Sequence, residues 1–261
     1  MQTPLIIGHR GASAVAPENT LAAFGQALTD GADGVEFDVR LSQDEVPVVI
    51  HDRDLRRTGL TNAKVSDLSA RELGAIDVGK WFNLRYPSMS REEYEGATIP
   101  TLEEVLRFFD KTKRVLYVEM KTDKTNAHKL ATEVVRCIRE HDFTHYAVVE
   151  SFALEAVAEV KRLAPEIMTA ALFERKLSRP APSADTMLEE AIACGASEIA
   201  LHHTLARKRC VEKALQRGLR VAVWTVDESR WIKRAAALGI NALITNDPAK
   251  MRASLDDFCA R

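Results

Sequence analysis

Short apolar runs alternate along most of the chain with stretches whose apolar residues recur at helical spacing. The runs begin near residues 5, 34, 115, 146, 168, 198, 220 and 242. Buried parallel strands read as nearly continuous apolar runs, whereas helices repeat their apolar positions every three to four residues. Eight strands alternating with helices in about 250 residues predict an α/β fold, the (β/α)8 TIM barrel.

The pattern changes after the second run. Residues 34–41 and 46–52 are both apolar and are separated by a polar tetrapeptide, which predicts an antiparallel hairpin arm after strand 2. If the connection is centred on Asp44 and Glu45, the register places His51 opposite Asp38. The two charged side chains would then face each other across the hairpin.

Residues 53–98 break the alternation of strands and helices. They are rich in basic and turn residues, and only residues 66–73 favour a short capped helix. Long irregular connections in compact domains are most often functional or disordered, so we expect a small inserted cap over the site. Trp81 and Phe82 would form the core of this cap, within a single domain spanning residues 1–261.

Charged or aromatic side chains stand at or near the carboxyl ends of several predicted strands, where barrels carry their chemistry. Alternation puts Glu36 and Asp38 on one face of strand 2 and the flanking apolar residues on the other. The side chains at these ends are those of His9, Arg10, Glu36, Asp38, Glu119, Lys121 and Trp224.

Three of these residues are carboxylates, namely Glu36, Asp38 and Glu119. Crowded anions repel one another unless a cation lies between them. Hard oxygen ligands without a cysteine suit Mg²⁺ or Ca²⁺ better than a thiolate-preferring metal, and Mn²⁺ is also compatible with them. The sequence therefore predicts a divalent metal site.

Two imidazoles and two cationic side chains accompany the carboxylates. His9 and His51 come from different elements and can act as general base and general acid, because imidazole titrates near neutral pH. Arg10 and Lys121 place fixed positive charge where an anionic, phosphate-bearing substrate would gain charge in its transition state.

The net charge and the length of the apolar runs exclude some classes of binding partner. The formal net charge of −2 argues against a general nucleic-acid binder. No apolar run approaches the roughly 20 residues that a membrane span needs, so we expect a cytoplasmic protein acting on a small molecule. The four cysteines are far apart and are expected to be ordinary thiols.

Several motifs resemble the glycerophosphodiester phosphodiesterases of the phospholipase-C-like barrel group. They occur in the family's order across nearly the whole chain, without departure at the catalytic positions. The matching blocks are His9-Arg10-Gly11, Pro17-Glu18-Asn19-Thr20, Glu36-Phe37-Asp38-Val39, Val48-Val49-Ile50-His51-Asp52, Ile99-Pro100-Thr101-Leu102, Val118-Glu119-Met120-Lys121 and Trp224-Thr225-Val226.

The resemblance implies metal-dependent hydrolysis of glycerophosphodiesters to sn-glycerol 3-phosphate and an alcohol. It assigns the three carboxylates to the metal, His9 and His51 to acid–base catalysis, Arg10 and Lys121 to the phosphate, and Trp224 to a wall of the pocket. It also implies attack by the substrate's own 2-hydroxyl, through a cyclic phosphate that water opens.

Two other functions stay open at this point. Lys121 near a strand end is also where a Schiff-base aldolase would keep its nucleophile, and a silent barrel could bind a phosphodiester without turnover. Among the minor candidates, His202 and His203 favour a surface role. Asn19 or Thr20 is expected to cap the first helix, and residues 246–248 to begin the last one. The head group, the native metal and the oligomeric state stay open.

Overall fold

The computed structural model describes residues 3–175 and 182–260. Its strands are β1 (Leu5–His9), β2 (Gly34–Leu41), β3 (Pro47–Val49), β4 (Val115–Met120), β5 (Ala147–Ser151), β6 (Met168–Phe173), β7 (Glu198–His202), β8 (Arg220–Trp224) and β9 (Ala242–Thr245). Its α-helices are α1 (Leu21–Thr29), α2 (Ala70–Leu73), α3 (Lys80–Arg85), α4 (Leu102–Phe109), α5 (Ala127–Glu140), α6 (Leu154–Leu163), α7 (Ala184–Ala193), α8 (Lys208–Gln216), α9 (Arg230–Leu238) and α10 (Pro248–Cys259).

All strands except β3 form one closed parallel barrel. Each of them pairs with its neighbours in the order β1, β2, β4, β5, β6, β7, β8 and β9, and β9 pairs again with β1. The helices that follow the strands cover the outside of the barrel, so the predicted TIM barrel is confirmed. Within the described ranges, no helix has both the length and the apolar character needed to cross a membrane.

Alternation along each strand divides the core into an inner and an outer part. On β2, Val35, Phe37 and Val39 are fully buried in a cluster with residues of the outer helices. The inner cluster is small and apolar, and includes Ile7 and Tyr117. Because the outer face of β2 is apolar, its two acidic residues must face the barrel interior.

The hairpin arm is present, but its register differs from the prediction. Val39 pairs with Val49, so Asp38 lies opposite Ile50 rather than His51. The turn closes by a hydrogen bond from the Ser42 amide to the Val46 carbonyl (3.0 Å), and its centre therefore falls on Asp44. A one-residue slip normally reverses a side chain's face. His51 follows the end of β3, however, and its side chain still reaches the cavity of the barrel.

The inserted segment, residues 53–98, has short elements and small apolar clusters of its own. The predicted helix at 66–73 is instead a 3-10 turn, Val65–Asp67, followed by α2, which begins with a capping box at Ser69. Phe82 is buried, and Trp81 packs against its edge at 5.9 Å between ring centroids. The Tyr94 hydroxyl donates to the Val15 carbonyl (3.0 Å), which ties the segment to the loop after β1.

Candidate active site

Three acidic side chains converge inside the barrel, at the carboxyl ends of β2 and β4. Asp38 and Glu119 are partners in the parallel ladder, and Glu36 precedes Asp38 on the same face of β2. One oxygen from each of the three lies within 4.8 Å of the others, and all three residues are buried. The alternation of side chains along β2 and the pairing of β2 with β4 therefore bring the three predicted acids together.

These three acids repel one another when they are ionised. Burial and the nearby Asp38 raise the pKa of Glu119 to about 7, and the same causes, with Glu119 added, raise the pKa of Glu36 well above its usual value. Burial also opposes ionisation of Asp38, but Arg10 and Lys121 hold its pKa well below the usual range. Ionisation of Asp38 is therefore favoured, whereas ionisation of Glu36 and Glu119 is harder than that of a free carboxyl group.

A divalent cation fits this set of donors. Glu36 Oε1 is buried and, among the described residues, has neither a hydrogen-bond donor nor an ion-pair partner. A buried polar oxygen without a partner is costly. Three carboxylates supply the hard oxygen ligands that Mg²⁺ and Ca²⁺ prefer. The buried acidic triad is thus suited to a divalent metal ion.

Two cations contact the triad, one at each carboxylate oxygen of Asp38. The Arg10 Nε lies 3.1 Å from Asp38 Oδ2, while its Nη1 donates to Glu18 Oε1 (2.8 Å). The Lys121 Nζ lies 3.1 Å from Asp38 Oδ1 and 2.6 Å from Glu119 Oε1. Burial opposes the charge of Lys121, but Asp38 and Glu119 outweigh it and raise the lysine's pKa.

His9 is held by Asn246, from the other end of the chain. Its Nδ1 lies 2.7 Å from Asn246 Oδ1, and Asn246 Nδ2 donates to Asp227 Oδ2 (2.8 Å). Because this bond fixes the orientation of the amide, Asn246 Oδ1 accepts and His9 Nδ1 donates. The other ring nitrogen, Nε2, lies 3.8 Å from Glu36 Oε2. Burial, together with Arg10, lowers the pKa of His9 to about 4.

His51 is oriented in a similar way by Asp52. Its Nδ1 lies 2.7 Å from Asp52 Oδ1, and Asp52 in turn accepts from Arg57 Nε (2.6 Å). An ionised carboxylate can only accept, so Nδ1 donates here as well and Nε2 keeps its lone pair when the ring is neutral. Burial lowers the pKa of His51, and the charges of Arg10 and Lys121 add to this effect.

These groups line one cavity of about 300 Å³ that has two unlike parts. The charged part holds the two histidines, the two cations and two of the acids. The other part is formed by Glu150, Phe152, Leu172, Glu174, Trp224 and Ile244. Trp224 therefore lies where a pocket wall was predicted, and its ring meets the Phe152 ring edge-on at 5.6 Å.

The sequence pattern missed several members of this site. Asn19, a candidate helix cap, instead donates from Nδ2 to Asp38 Oδ2 (2.8 Å), while Thr20 caps α1. Asn246, expected only to begin α10, orients His9. Glu150 lies on β5 directly beside Glu119 in the ladder. The sequence did contain a signal for Glu150, because it is an acidic residue within an otherwise apolar strand and occupies the same level of the barrel as Glu119.

His202 and His203 lie at the edge of the barrel mouth. The His202 ring packs edge-on against Trp224 at 5.2 Å between centroids and stacks on His203 at 4.2 Å. Its Nδ1 is 2.8 Å from the Thr204 hydroxyl. These contacts support Trp224 from the side of the rim.

The chain is similar to known proteins over nearly its whole length. A model of the glycerophosphoryl diester phosphodiesterase family matches residues 9–250. The glycerophosphodiester phosphodiesterase of Caldanaerobacter subterraneus is 30% identical over 94% of this chain and 94% of its own length. That of Bacillus subtilis is 30% identical over 94% of this chain and 84% of its own.

Solved structures show the same architecture. A phosphodiesterase of Oleispira antarctica, in complex with its product sn-glycerol 3-phosphate, superposes with a TM-score of 0.85, at 27% identity and 97% coverage of both chains. The matched family segment includes every residue that the sequence predicted for the site. This chain therefore belongs to the glycerophosphoryl diester phosphodiesterase family, and the prediction of an enzyme of that class is confirmed.

Proposed function

We propose that this chain hydrolyses glycerophosphodiesters to sn-glycerol 3-phosphate and an alcohol by a metal-dependent reaction with paired histidines. The observation that carries the proposal is the buried triad of acids flanked by two imidazoles and two cations in one cavity. A binding protein has little use for this combination. The family membership adds independent support for the reaction type.

Glu36, Asp38 and Glu119 would hold the metal ion, with Mg²⁺ or Ca²⁺ as the expected ion and Mn²⁺ as a further candidate. When bound, a divalent ion polarises a phosphoryl oxygen as a Lewis acid. Arg10 and Lys121 would contact the phosphate, because both carry fixed charge at the wall of the cavity. Trp224 would form one side of the substrate pocket.

His9 and His51 would move the protons of the reaction. Each ring has its Nδ1 committed to a fixed acceptor, which leaves Nε2 to serve the cavity. A neutral ring can accept the proton of an attacking hydroxyl, and an imidazolium can return one to the leaving alcohol. The anionic substrate favours the charged form of the second ring. We propose the substrate's 2-hydroxyl as the attacking group, with a cyclic phosphate opened by water.

The aldolase alternative is disfavoured by the surroundings of Lys121. An imine-forming lysine needs a lowered pKa, whereas Asp38 and Glu119 outweigh burial and raise the pKa of Lys121. Borohydride added with substrate is expected to leave the protein unmodified. A trapped covalent adduct on Lys121 would favour the aldolase instead.

Assay of glycerophosphocholine turnover with Mg²⁺ or Ca²⁺ tests the proposal directly. EDTA should abolish turnover, and His9→Ala or His51→Ala should each lower it by about 10²–10⁴-fold. Loss of less than about tenfold in either variant would refute the acid–base assignment. A 2-deoxy substrate analogue should not react, and its normal turnover would exclude the cyclic phosphate.

We further propose that residues 53–98 act as a cap within a single domain. Arg57 joins this segment to the site, because its Nη1 donates to Glu18 Oε2 (2.7 Å) while Glu18 also binds Arg10. The partner of the site would be a small glycerophosphodiester. The cytoplasmic location stays a prediction.

A further inference from the structure

Glu150 is a buried acid that lines the cavity. Its side chain belongs to the inner face of β5, where it neighbours Glu119 in the ladder. The residue is 1% exposed, and among the described residues its Oε2 has no hydrogen-bond partner. It does not join the three oxygens that converge within 4.8 Å. The side chain nevertheless lines the cavity, and no described residue commits its carboxyl group to the fold or to the triad.

The surroundings of Glu150 restrict what it can bind. Leu172 and Ile244, both buried, line the cavity beside it, while Glu36, Glu119 and Glu198 repel a further negative charge. Burial and these acids raise the pKa of Glu150 well above its usual value. A hydroxyl group can donate to a carboxylate or accept from a carboxylic acid, so it suits Glu150 in either form.

The two parts of the substrate differ in where they can lie. The leaving alcohol varies in size and must depart, so it belongs at the mouth, where Phe152 and Glu174 are exposed. The glycerol half is constant, which suits the enclosed end of the cavity. Its 2-hydroxyl is required at the histidines, and only the terminal hydroxyl of the glycerol is then free to meet Glu150.

We propose that Glu150 is a specificity-determining residue that hydrogen-bonds the free terminal hydroxyl of the substrate's glycerol. This inference rests on the proposed function and deepens it. It explains how the enzyme would select a glycerol ester over a diester that carries only the attacking hydroxyl, because the acid would otherwise be left buried without a partner.

A comparison of two substrates in three proteins tests the proposal. The substrates are glycerophosphocholine and its analogue with propane-1,2-diol in place of glycerol, and the proteins are the wild type, Glu150→Gln and Glu150→Leu. The wild type should prefer the glycerol ester by about 10- to 100-fold in kcat/KM. Glu150→Gln should keep most of this preference, because an amide also hydrogen-bonds a hydroxyl. Glu150→Leu should lose the preference for the glycerol ester, and its kcat/KM on the analogue should not fall.

Glu198→Gln is the matched control. Glu198 is also a buried acid inside the barrel, but it binds the Tyr117 hydroxyl (2.9 Å) and does not line the cavity. Its substitution should leave the ratio between the two substrates unchanged. Equal losses on both substrates in Glu150→Leu would indicate a merely structural role and would overturn the inference.

Other outcomes separate the two proposals. A wild type that turns over neither diester refutes the proposed function itself, whereas turnover without preference for the glycerol ester refutes only the role of Glu150. If Glu150→Leu does not fold, Glu150→Ala replaces it, because alanine also removes the hydrogen-bonding group, and retention of the wild-type preference in that variant would overturn the inference. Replacing choline by ethanolamine is a further check, because a Glu150→Leu effect that changes with the head group would place Glu150 at the leaving alcohol and overturn the inference.

Discussion

Asn19 holds the Asp38 carboxylate in place from two directions. Its Nδ2 donates to Asp38 Oδ2 (2.8 Å), and its Oδ1 accepts from the Asp38 amide (3.2 Å). The backbone of Asn19 is in the left-handed region, with φ 59°, which asparagine tolerates better than most residues. Asn19 is thus a positioning residue for the triad.

Asn19→Ala should therefore weaken divalent-metal binding by about 10–100-fold, the usual cost of losing a residue that orients a metal ligand by hydrogen bonds. Calorimetric titration with Ca²⁺ or Mg²⁺ measures the affinity directly, and metal dependence of turnover gives a second measure. Asn83→Ala is the control, because Asn83 also makes two hydrogen bonds, both to the Arg91 backbone. Equal affinities in Asn19→Ala and the wild type would contradict the positioning role.

Glu198 gives the stability a specific dependence on pH. Burial raises its pKa to about 7, although Arg220 and the Tyr117 hydroxyl oppose the shift. Between its ordinary value of 4.5 and about 7, the folded protein binds the proton more tightly than the unfolded chain does. The contribution of Glu198 to the free energy of unfolding is fully present below pH 4.5 and is lost as the pH rises through 7.

We expect Glu198→Gln to remove this dependence. The free energy of unfolding of the wild type, relative to the variant, should fall by up to about 3 kcal/mol from pH 4.5 to pH 8. Urea unfolding at several pH values measures both proteins, and the difference between them cancels the titration of other buried acids. Parallel curves for the two proteins would show that Glu198 does not have a raised pKa.

At the level of the elements, alternation and helical spacing were sufficient to predict the barrel strands and their inner faces. They could not fix the hairpin register, because the polar residues 42–45 are compatible with turns whose strand registers differ by one residue. They also could not predict that the 66–73 region divides. Ser69 with Glu72 makes a complete capping box, which starts the helix only at Ala70.

Gly34 permits the close approach of β2 and β4. A Cβ at this position would lie 1.9 Å from the Val115 carbonyl oxygen, which is backbone and cannot turn away. Gly34→Ala should therefore destabilise the protein by at least about 2 kcal/mol, measured by urea unfolding. In Gly25→Ala, the new Cβ on α1 meets only Phe108 at 3.7 Å, and stability should rise by up to about 1 kcal/mol. Similar effects of both changes would contradict this account.

For the molecule as a whole, most parts of the site that the sequence predicted come from strand ends, whereas two of those that it missed, Asn19 and Asn246, come from loops and a third, Glu150, lies on β5. Barrel topology places strand ends together, so Glu36, Asp38 and Glu119 follow from the fold. The contact of Asn246 with His9 joins residues 237 apart in the chain. No local pattern encodes such a contact, because it depends on closure of the barrel between β1 and β9.

The triad should also couple metal binding to the stability of the whole barrel. A ligand that binds only the folded state stabilises it, and 100 times Kd of metal should raise the melting temperature by about 5–10 °C over that in EDTA. Glu36→Gln should abolish this rise. In EDTA the free energy of unfolding of the variant should match that of the wild type to within about 1 kcal/mol, because the raised pKa of Glu36 already favours its neutral form. Scanning calorimetry of both proteins, with Glu198→Gln as a variant that keeps the rise, measures the effect. A rise that survives Glu36→Gln would place the metal away from the triad.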